Sequence, residues 1–193
     1  MKFDIIYADP PWNFQAYSDK GHSRSPQNHY STMSLEDICS LDVESIVSKD
    51  CVLFLWVTFP HLLQGLKVIE RWGFQYKTLG FCWVKKNRKS DTWFWGLGYW
   101  TRSNPEVCLI ATRGHPKRVS RSVFSVVATP IEQHSKKPDV VRDRIVALMG
   151  DIPRIELFAR QPANGWVSIG NEIDGFSIEE SIRRIAEKED AYA

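Results

Sequence analysis

The chain has 193 residues, with a hydrophobic content of 43%, a charged content of 25% and a formal net charge of +2. These values are typical of a soluble globular protein, and the length allows about 70% of the unfolded surface to be buried. No apolar run approaches the ~18 residues of a membrane span. Residues 1–11 lack a small-residue cleavage site, so we expect no membrane or secretory segment and a cytoplasmic location.

The hydrophobic pattern predicts six strands and a shorter seventh one. The six cover residues 3–8, 51–57, 78–85, 106–112, 154–159 and 166–169, and the short one covers 122–128. Several of these strands are continuous apolar runs. Such runs indicate strands that are buried on both faces of a largely parallel sheet.

Four predicted helices alternate with the strands, each marked by a capping residue or a proline in its first turn. They begin at Ser34, Pro60, Pro138 and Ser177. The alternation predicts a three-layer α/β fold in one domain that spans 1–193. Residues 13–33 are polar and rich in Ser, Gly and Asn, which predicts a long mobile loop. Residues 177–193 are predicted to form an exposed terminal helix with a frayed tail.

The four cysteines show no CxxC spacing, which predicts reduced thiols and no metal site. They are Cys39, Cys51, Cys82 and Cys108.

Positive charge is concentrated in one part of the chain. Residues 81–144 hold 13 Lys and Arg against 5 Asp and Glu, whereas the remainder holds 12 against 18. The cations cluster at 85–89, 113–121 and 134–144. Any one such cluster also fits a solvated face, but three in one segment favour a surface that meets a polyanion.

The sequence YADPPWNF at residues 7–14 ends the first strand abruptly. Pro10 and Pro11 cannot donate to a sheet ladder, so they form a stiff elbow that holds Asp9 at the carboxyl end of a strand. Ligands of open α/β sheets bind at this edge. The Asp9 carboxylate and a prolyl carbonyl are suited to accept the two N–H groups of an aromatic amine, with Trp12 stacked on its ring. The same residues also fit a simple strand terminator.

The DPPW sequence resembles the catalytic motif of amino-methyltransferases that use S-adenosyl-L-methionine (AdoMet). The order of the other segments is similar to that in the family of the mRNA adenosine methyltransferase catalytic subunit and its bacterial and phage relatives. The matching segments are IIYADPPW, YSTMSLEDI, LFLWV, WGF…WVK, NPEVCLIATRG, HSKKPD, IELFAR and GWVSIGNE. The resemblance implies a Rossmann-like fold with AdoMet as cofactor and a permuted order, in which the catalytic strand comes first and the cofactor strand late.

The resemblance also implies roles for individual residues. Besides Asp9, the residues implied to contact the cofactor are Ser135, Lys136, Lys137, Phe158, Arg160, Asn171 and Glu172. Those implied to lie near the acceptor adenine are Tyr30, Glu106 and Lys137. On their own, Glu106 also fits an edge charge, Arg160 a surface residue and Lys137 the start of a helix, and His134 stays open between a loop residue and a cofactor contact.

Longer members of the family carry residues upstream of the catalytic strand that bind the cofactor's adenine. Here six residues precede Tyr7, so we expect that Asp4 or another segment covers that ring, or that the ring is less enclosed. A bare domain of this size resembles the prokaryotic and phage members, which usually act on DNA.

We therefore predict an N6-adenine methyltransferase that acts on nucleic acid, with DNA favoured and RNA as the alternative. A cytosine N4 methyltransferase or an inactive nucleic-acid-binding subunit would fit the same residues, whereas the basic segment disfavours a small-molecule substrate. Residues 91–105 are rich in aromatics and glycine, and predict either a plug over the end of the sheet or a base-stacking surface. The aromatics at 93–100 also fit a homodimer interface.

Overall fold

The computed structural model describes residues 2–13, 32–98, 100–132 and 136–190. Residues 14–31 of the predicted loop lie outside this range, and so do Tyr30, His134 and Ser135. The predictions for these residues are therefore left as they stand.

The described part of the chain contains a seven-stranded sheet with the order β5-β3-β4-β2-β1-β6-β7. The strands are β1 (Phe3–Ala8), β2 (Val47–Val57), β3 (Gln75–Lys86), β4 (Glu106–Arg113), β5 (Val126–Pro130), β6 (Arg154–Leu157) and β7 (Val167–Ile169). Four of the six pairings are parallel, and β4 runs antiparallel to both of its neighbours. The predicted largely parallel sheet is thus confirmed, with one reversed strand near its centre.

Four α-helices accompany the sheet: α1 (Leu35–Ser40), α2 (Leu62–Arg71), α3 (Val140–Met149) and α4 (Ile178–Asp190). Their predicted caps are confirmed at Ser34, whose hydroxyl accepts the amide of Asp37 at 3.1 Å, and at Ser177, whose hydroxyl accepts the amide of Glu180. Pro60 lies in a short 3-10 turn just before α2 instead of within that helix.

Two apolar clusters lie on opposite faces of the sheet. On one face, Ile6 and Leu53 pack in a cluster with buried residues of α1, α2 and α4. On the other face, Ile5 and Phe54 share a cluster with buried residues of α3. Neighbouring strand residues therefore point to opposite layers, as expected for a pleated sheet covered on both sides. The predicted three-layer α/β fold is confirmed.

Three of the four cysteines are buried, Cys82 is partly buried, and all four are free thiols. Within the described ranges, no helix is long and apolar enough to cross a membrane. The same residues include no cluster of His, Cys, Asp and Glu that would hold a metal ion.

Candidate functional site

One edge of the sheet gathers the ends of all seven strands around a cavity of about 650 Å³. The carboxyl ends of six strands meet there, and because β4 is reversed its amino end reaches the same edge. The residues of the sequence-based prediction that line the cavity are Asp9, Pro10, Pro11, Trp12, Glu106, Lys137, Phe158, Arg160, Asn171 and Glu172. The volume is within the range of ordinary small-molecule sites.

The prolyl carbonyls of the elbow already accept backbone hydrogen bonds. The amide of Trp12 donates to the carbonyl of Pro10 at 2.9 Å, and the amide of Met33 donates to that of Pro11 at 3.0 Å. A carbonyl oxygen has two lone pairs, so each keeps capacity for a second donor. The two bonds fix the direction of these oxygens, so each is a rigid acceptor for a hydrogen bond from a further donor.

Trp12 is more enclosed than the sequence suggests, with only 6% of its surface exposed. Its indole N–H donates to the carbonyl of Trp56 at 3.1 Å, and its ring stacks on His61 with centroids 5.7 Å apart. Burial lowers the pKa of His61 and so favours a neutral ring. Trp12 lines the cavity, and its N–H edge and its stacking contact with His61 brace the elbow, while its predicted stacking on a target ring stays a prediction.

Lys137 lies between two carboxylates of the site. Its ammonium is 2.7 Å from Asp9 and 3.2 Å from Glu106, and it lies 5.6 Å from the centre of the Trp56 ring. A second ammonium, that of Lys85, pairs with the other oxygen of Glu106. The cluster thus joins β1, β3, β4 and the segment before α3.

The charges of this cluster set one another's protonation. Burial raises the pKa of Glu106, but Lys137 and Lys85 more than offset this and lower it to about 2. Burial lowers the pKa of Lys137, but Asp9 and Glu106 together raise it above its ordinary value. Burial raises the pKa of Asp9, and the attraction of Lys137 cancels only part of that shift. Asp9 is therefore the carboxyl of this cluster that takes up a proton most readily.

A buried brace that sequence reasoning missed lies behind the cluster. The indole N–H of Trp56 donates to the hydroxyl of Tyr7 at 2.7 Å, and the guanidinium of Arg142 lies 5.7 Å from the centre of the Tyr7 ring. Arg142 also donates twice to the carboxylate of Glu156, at 2.7 Å each. The only sequence signal for this brace is that Tyr7 and Trp56 stand near the carboxyl ends of neighbouring strands.

The side of the cavity formed by β6 and β7 has a constrained backbone. Phe158 is the one non-glycine residue with a positive φ, 61°, among those the structure describes. The amide of Ala159 donates to the carbonyl of Ile169 at 2.9 Å. A Cβ at Gly170 would lie 2.4 Å from the carbonyl oxygen of Ala159. A positive φ at a non-glycine residue is typical of functional sites, and both Phe158 and Asn171 line the cavity.

Two predicted residues lie outside the cavity. Lys136 does not line it, and its ammonium pairs with Glu132 and Asp139 at 2.7 Å each, so its contact with a cofactor stays a prediction. Asp4 lies at the amino end of β1, where its amide donates to Pro153. At about 3.3 Å per residue this is roughly 16 Å from Asp9, so Asp4 is at the wrong edge to cover the adenine of a cofactor.

The donor set of the cavity fits AdoMet. Glu172 and Asn171 offer acceptors for ribose hydroxyls, Phe158 offers a ring face, and Lys137 offers a cation for a carboxylate. Arg160 adds a second cation at the same rim, and it attracts the charge of Asp9.

Comparison with known proteins identifies the family. A sequence model of the MT-A70 family matches residues 3–172. The chain belongs to the MT-A70 family. It is 34% identical over 195 residues to the type II methyltransferase M.MunI of Mycoplasma sp, an alignment that covers 92% of this chain and 81% of that protein.

Eukaryotic relatives match over a similar stretch of the chain. The N(6)-adenosine-methyltransferase MT-A70-like protein of Arabidopsis thaliana is 31% identical over 180 residues, which cover 91% of this chain and 24% of that protein. The N(6)-adenosine-methyltransferase catalytic subunit METTL3 of Homo sapiens is 29% identical over 182 residues, which cover 92% of this chain and 29% of that protein. The chain thus spans about a quarter of the length of these eukaryotic relatives. Membership of the MT-A70 family confirms the predicted resemblance and the predicted Rossmann-like methyltransferase fold.

Proposed function

We propose that this chain transfers the methyl group of AdoMet to the exocyclic N6 of adenine in nucleic acid. Its membership of the MT-A70 family makes it an adenine-N6 methyltransferase. The observation that carries the proposed residue roles is that Asp9, Pro10, Pro11 and Lys137 line one cavity, with Lys137 paired to Asp9.

The elbow acts by orienting the amine. An adenine N6 lone pair is delocalised into the ring, so the amine is a poor nucleophile until its geometry is fixed. The Asp9 carboxylate accepts one N–H, and the free lone pair of the Pro10 or Pro11 carbonyl accepts the other. Fixing two reactants in this way contributes on the order of 7–11 kcal/mol to lowering a barrier.

AdoMet, when bound, supplies a sulfonium methyl carbon that receives the amine's electron pair as the carbon–sulfur bond breaks. The methylated nitrogen then carries an extra proton and is strongly acidic. Asp9 takes this proton and passes it to water, a role that its raised pKa favours.

Lys137 positions Asp9 and keeps the site electrically balanced. Its ammonium is held by the ionised Glu106 and is directed at the Asp9 carboxylate. The same ammonium is the buried cation that we assign to the methionine carboxylate of the cofactor. Phe158, Asn171 and Glu172 are assigned to its adenosine part.

DNA is the favoured substrate in this proposal. Among the relatives named above, the type II methyltransferase M.MunI is the one whose length the chain covers most fully. The basic segment 81–144 supports a polyanion as the partner, because Lys and Arg side chains bind nucleic-acid phosphates. Such contacts are independent of the base sequence. A duplex substrate would have to flip its target base out, at a cost of a few kcal/mol.

The test is incubation of the chain with labelled AdoMet and single-stranded or duplex DNA and RNA, followed by mass spectrometry of the nucleosides. We expect N6-methyldeoxyadenosine as the main product. N4-methylcytosine would instead establish the cytosine alternative. The absence of any labelled nucleoside together with no AdoMet binding in calorimetry would support an inactive binding subunit.

A further inference from the structure

The segment between β3 and β4 presents large apolar side chains to solvent. We call residues 87–104 the aromatic arm. Trp93, Trp95, Leu97 and Trp100 in this arm are exposed, Trp95 to 62% and Trp100 to 91%. Three exposed indoles within eight positions are unusual for a solvent-facing surface, and such an apolar patch marks a binding surface for a ligand or a macromolecule.

The aromatic arm is anchored by hydrogen bonds. The buried side chain of Asn104 accepts the amide of Lys85 at 2.8 Å and donates to the carbonyls of Lys85 and Phe94. The amide of Gly96 donates to the carbonyl of Ser103 at 2.7 Å. These bonds fix the backbone on either side of Trp95, which lowers the backbone entropy lost when a ligand binds.

The arm is continuous with the candidate active site. Arg88 and Phe94 line the cavity, and Phe94 stands between the exposed Trp93 and Trp95 in the chain. Lys85, the residue to which Asn104 anchors the arm, also pairs with Glu106 of the site. A nucleic-acid strand with one base in the cavity would pass over the aromatic arm before it reaches solvent.

The chemistry of the arm matches one kind of partner. Residues 87–104 hold three cations, Arg88, Lys89 and Arg102, against the single acid Asp91, and Asp91 is paired with Lys86 just before the arm. Lys86 also lies 5.5 Å from the centre of the Trp93 ring. Aromatic faces that alternate with cations bind single-stranded nucleic acid, by stacking on bases and by pairing with phosphates. A second copy of the chain docked on the same face would place like charges opposite each other, which disfavours a homodimer there.

We infer that the aromatic arm binds single-stranded nucleic acid beside the target base, with bases stacked on Trp95 and Trp100. This inference rests on the proposed function, because it takes the cavity as the site of the target base. It assigns to the arm the unpaired nucleotides that flank that base, whether they come from a single strand or from an opened duplex.

Fluorescence polarisation with labelled single-stranded DNA, single-stranded RNA and duplex DNA tests the inference. In Trp95→Ala and Trp100→Ala we expect the Kd for single strands to rise about tenfold each, since stacking on one ring contributes about 1–3 kcal/mol. Trp95→Phe keeps a ring and should retain most of the affinity. The control Phe124→Ala removes an aromatic that is 79% exposed near the amino end of β5, at the opposite edge of the sheet, and should change the Kd little.

Methylation kinetics separate this inference from the proposed function. The Trp95→Ala variant should raise the KM for the oligonucleotide and leave kcat and the Kd for AdoMet little changed. An unchanged Kd and KM in both tryptophan variants would overturn the inference, and loss of self-association in sedimentation at unchanged Kd would make the arm a protein interface instead. A wild-type chain that binds oligonucleotides through the arm but methylates none of them would overturn the proposed function and uphold the inference.

Discussion

The ammonium of Lys137 lies 2.7 Å from the carboxylate of Asp9, although 128 residues separate the two along the chain. The fold brings them together because the segment before α3 returns to the carboxyl end of β1, which lies next to the central strand β2. This contact links the elbow to the basic segment, and the first two predictions below follow from the cluster around it.

Replacing Asp9 by alanine should slow methylation by about 10² or more, because one oriented hydrogen-bond acceptor is lost from the transition state. AdoMet binding should change little, since Lys137 keeps its second partner Glu106. Rates come from labelled AdoMet and affinities from calorimetry. The matched control is Asp151→Ala, which removes an exposed carboxylate just before the amino end of β6. Near-normal turnover in Asp9→Ala would remove Asp9 from the catalytic set.

Glu106 should make the stability of the fold depend on acid pH. Its pKa is about 2 in the folded state against an ordinary value of 4.5, so its contribution is present above pH 4.5 and is lost as the pH falls toward 2. The shift corresponds to on the order of 3 kcal/mol. Urea unfolding of wild type and Glu106→Gln should therefore differ most at pH 7. The difference should shrink as the pH approaches 2, and a constant difference would contradict the assigned pKa.

The bond between Tyr7 and Trp56 should couple the two residues energetically. Tyr7→Phe leaves the buried indole N–H of Trp56 without its acceptor, which costs about 1–3 kcal/mol of unfolding free energy. Trp56→Phe in the same background removes that donor, so the double variant should be more stable than the sum of the single changes predicts. Chemical denaturation of the four proteins measures this coupling. Strictly additive changes would mean that the bond contributes nothing.

Gly170→Ala should weaken AdoMet binding because the new Cβ would meet the backbone carbonyl of Ala159 at 2.4 Å. The added Cβ would push the segments at Gly170 and Ala159 apart and would shift Asn171 and Phe158 at the rim. The control is Gly175→Ala, where the added Cβ meets nothing within 4 Å and only the positive φ of 74° is strained. Both variants should lose some thermal stability, but Gly170→Ala alone should lose AdoMet affinity in calorimetry. Equal affinities in the two variants would contradict this account of the rim.

The sequence was informative where local chemistry decides the structure. Pro10 stops β1 where predicted, and Gly73 and Gly150 follow α2 and α3 with φ of 76° and 92°. The hydrophobic pattern predicts that β2 begins at residue 51, four residues late, because residues 47–50 are mostly polar and show no apolar run.

The reversed direction of β4 could not be read from the sequence, because it depends on which strands pair. For the same reason Lys85 was missed: it is one cation of the basic run 85–89 until β4 brings Glu106 beside it. The enclosure of Trp12 was missed as well, since Trp56 and His61 come from distant parts of the chain. Local sequence patterns thus do not predict contacts between residues that are remote in the chain.

Asn104 gives the aromatic arm a property of its own. Its side chain bonds the backbone of Lys85, so the two ends of the segment between β3 and β4 are joined and the residues between them form a closed loop. The outer part of this loop, residues 95–103, can be exchanged for another of different length or composition while Arg88 and Phe94 still line the cavity. Target preference and methyl transfer would then be separately adjustable in this protein, by grafting new arms between the same two strands.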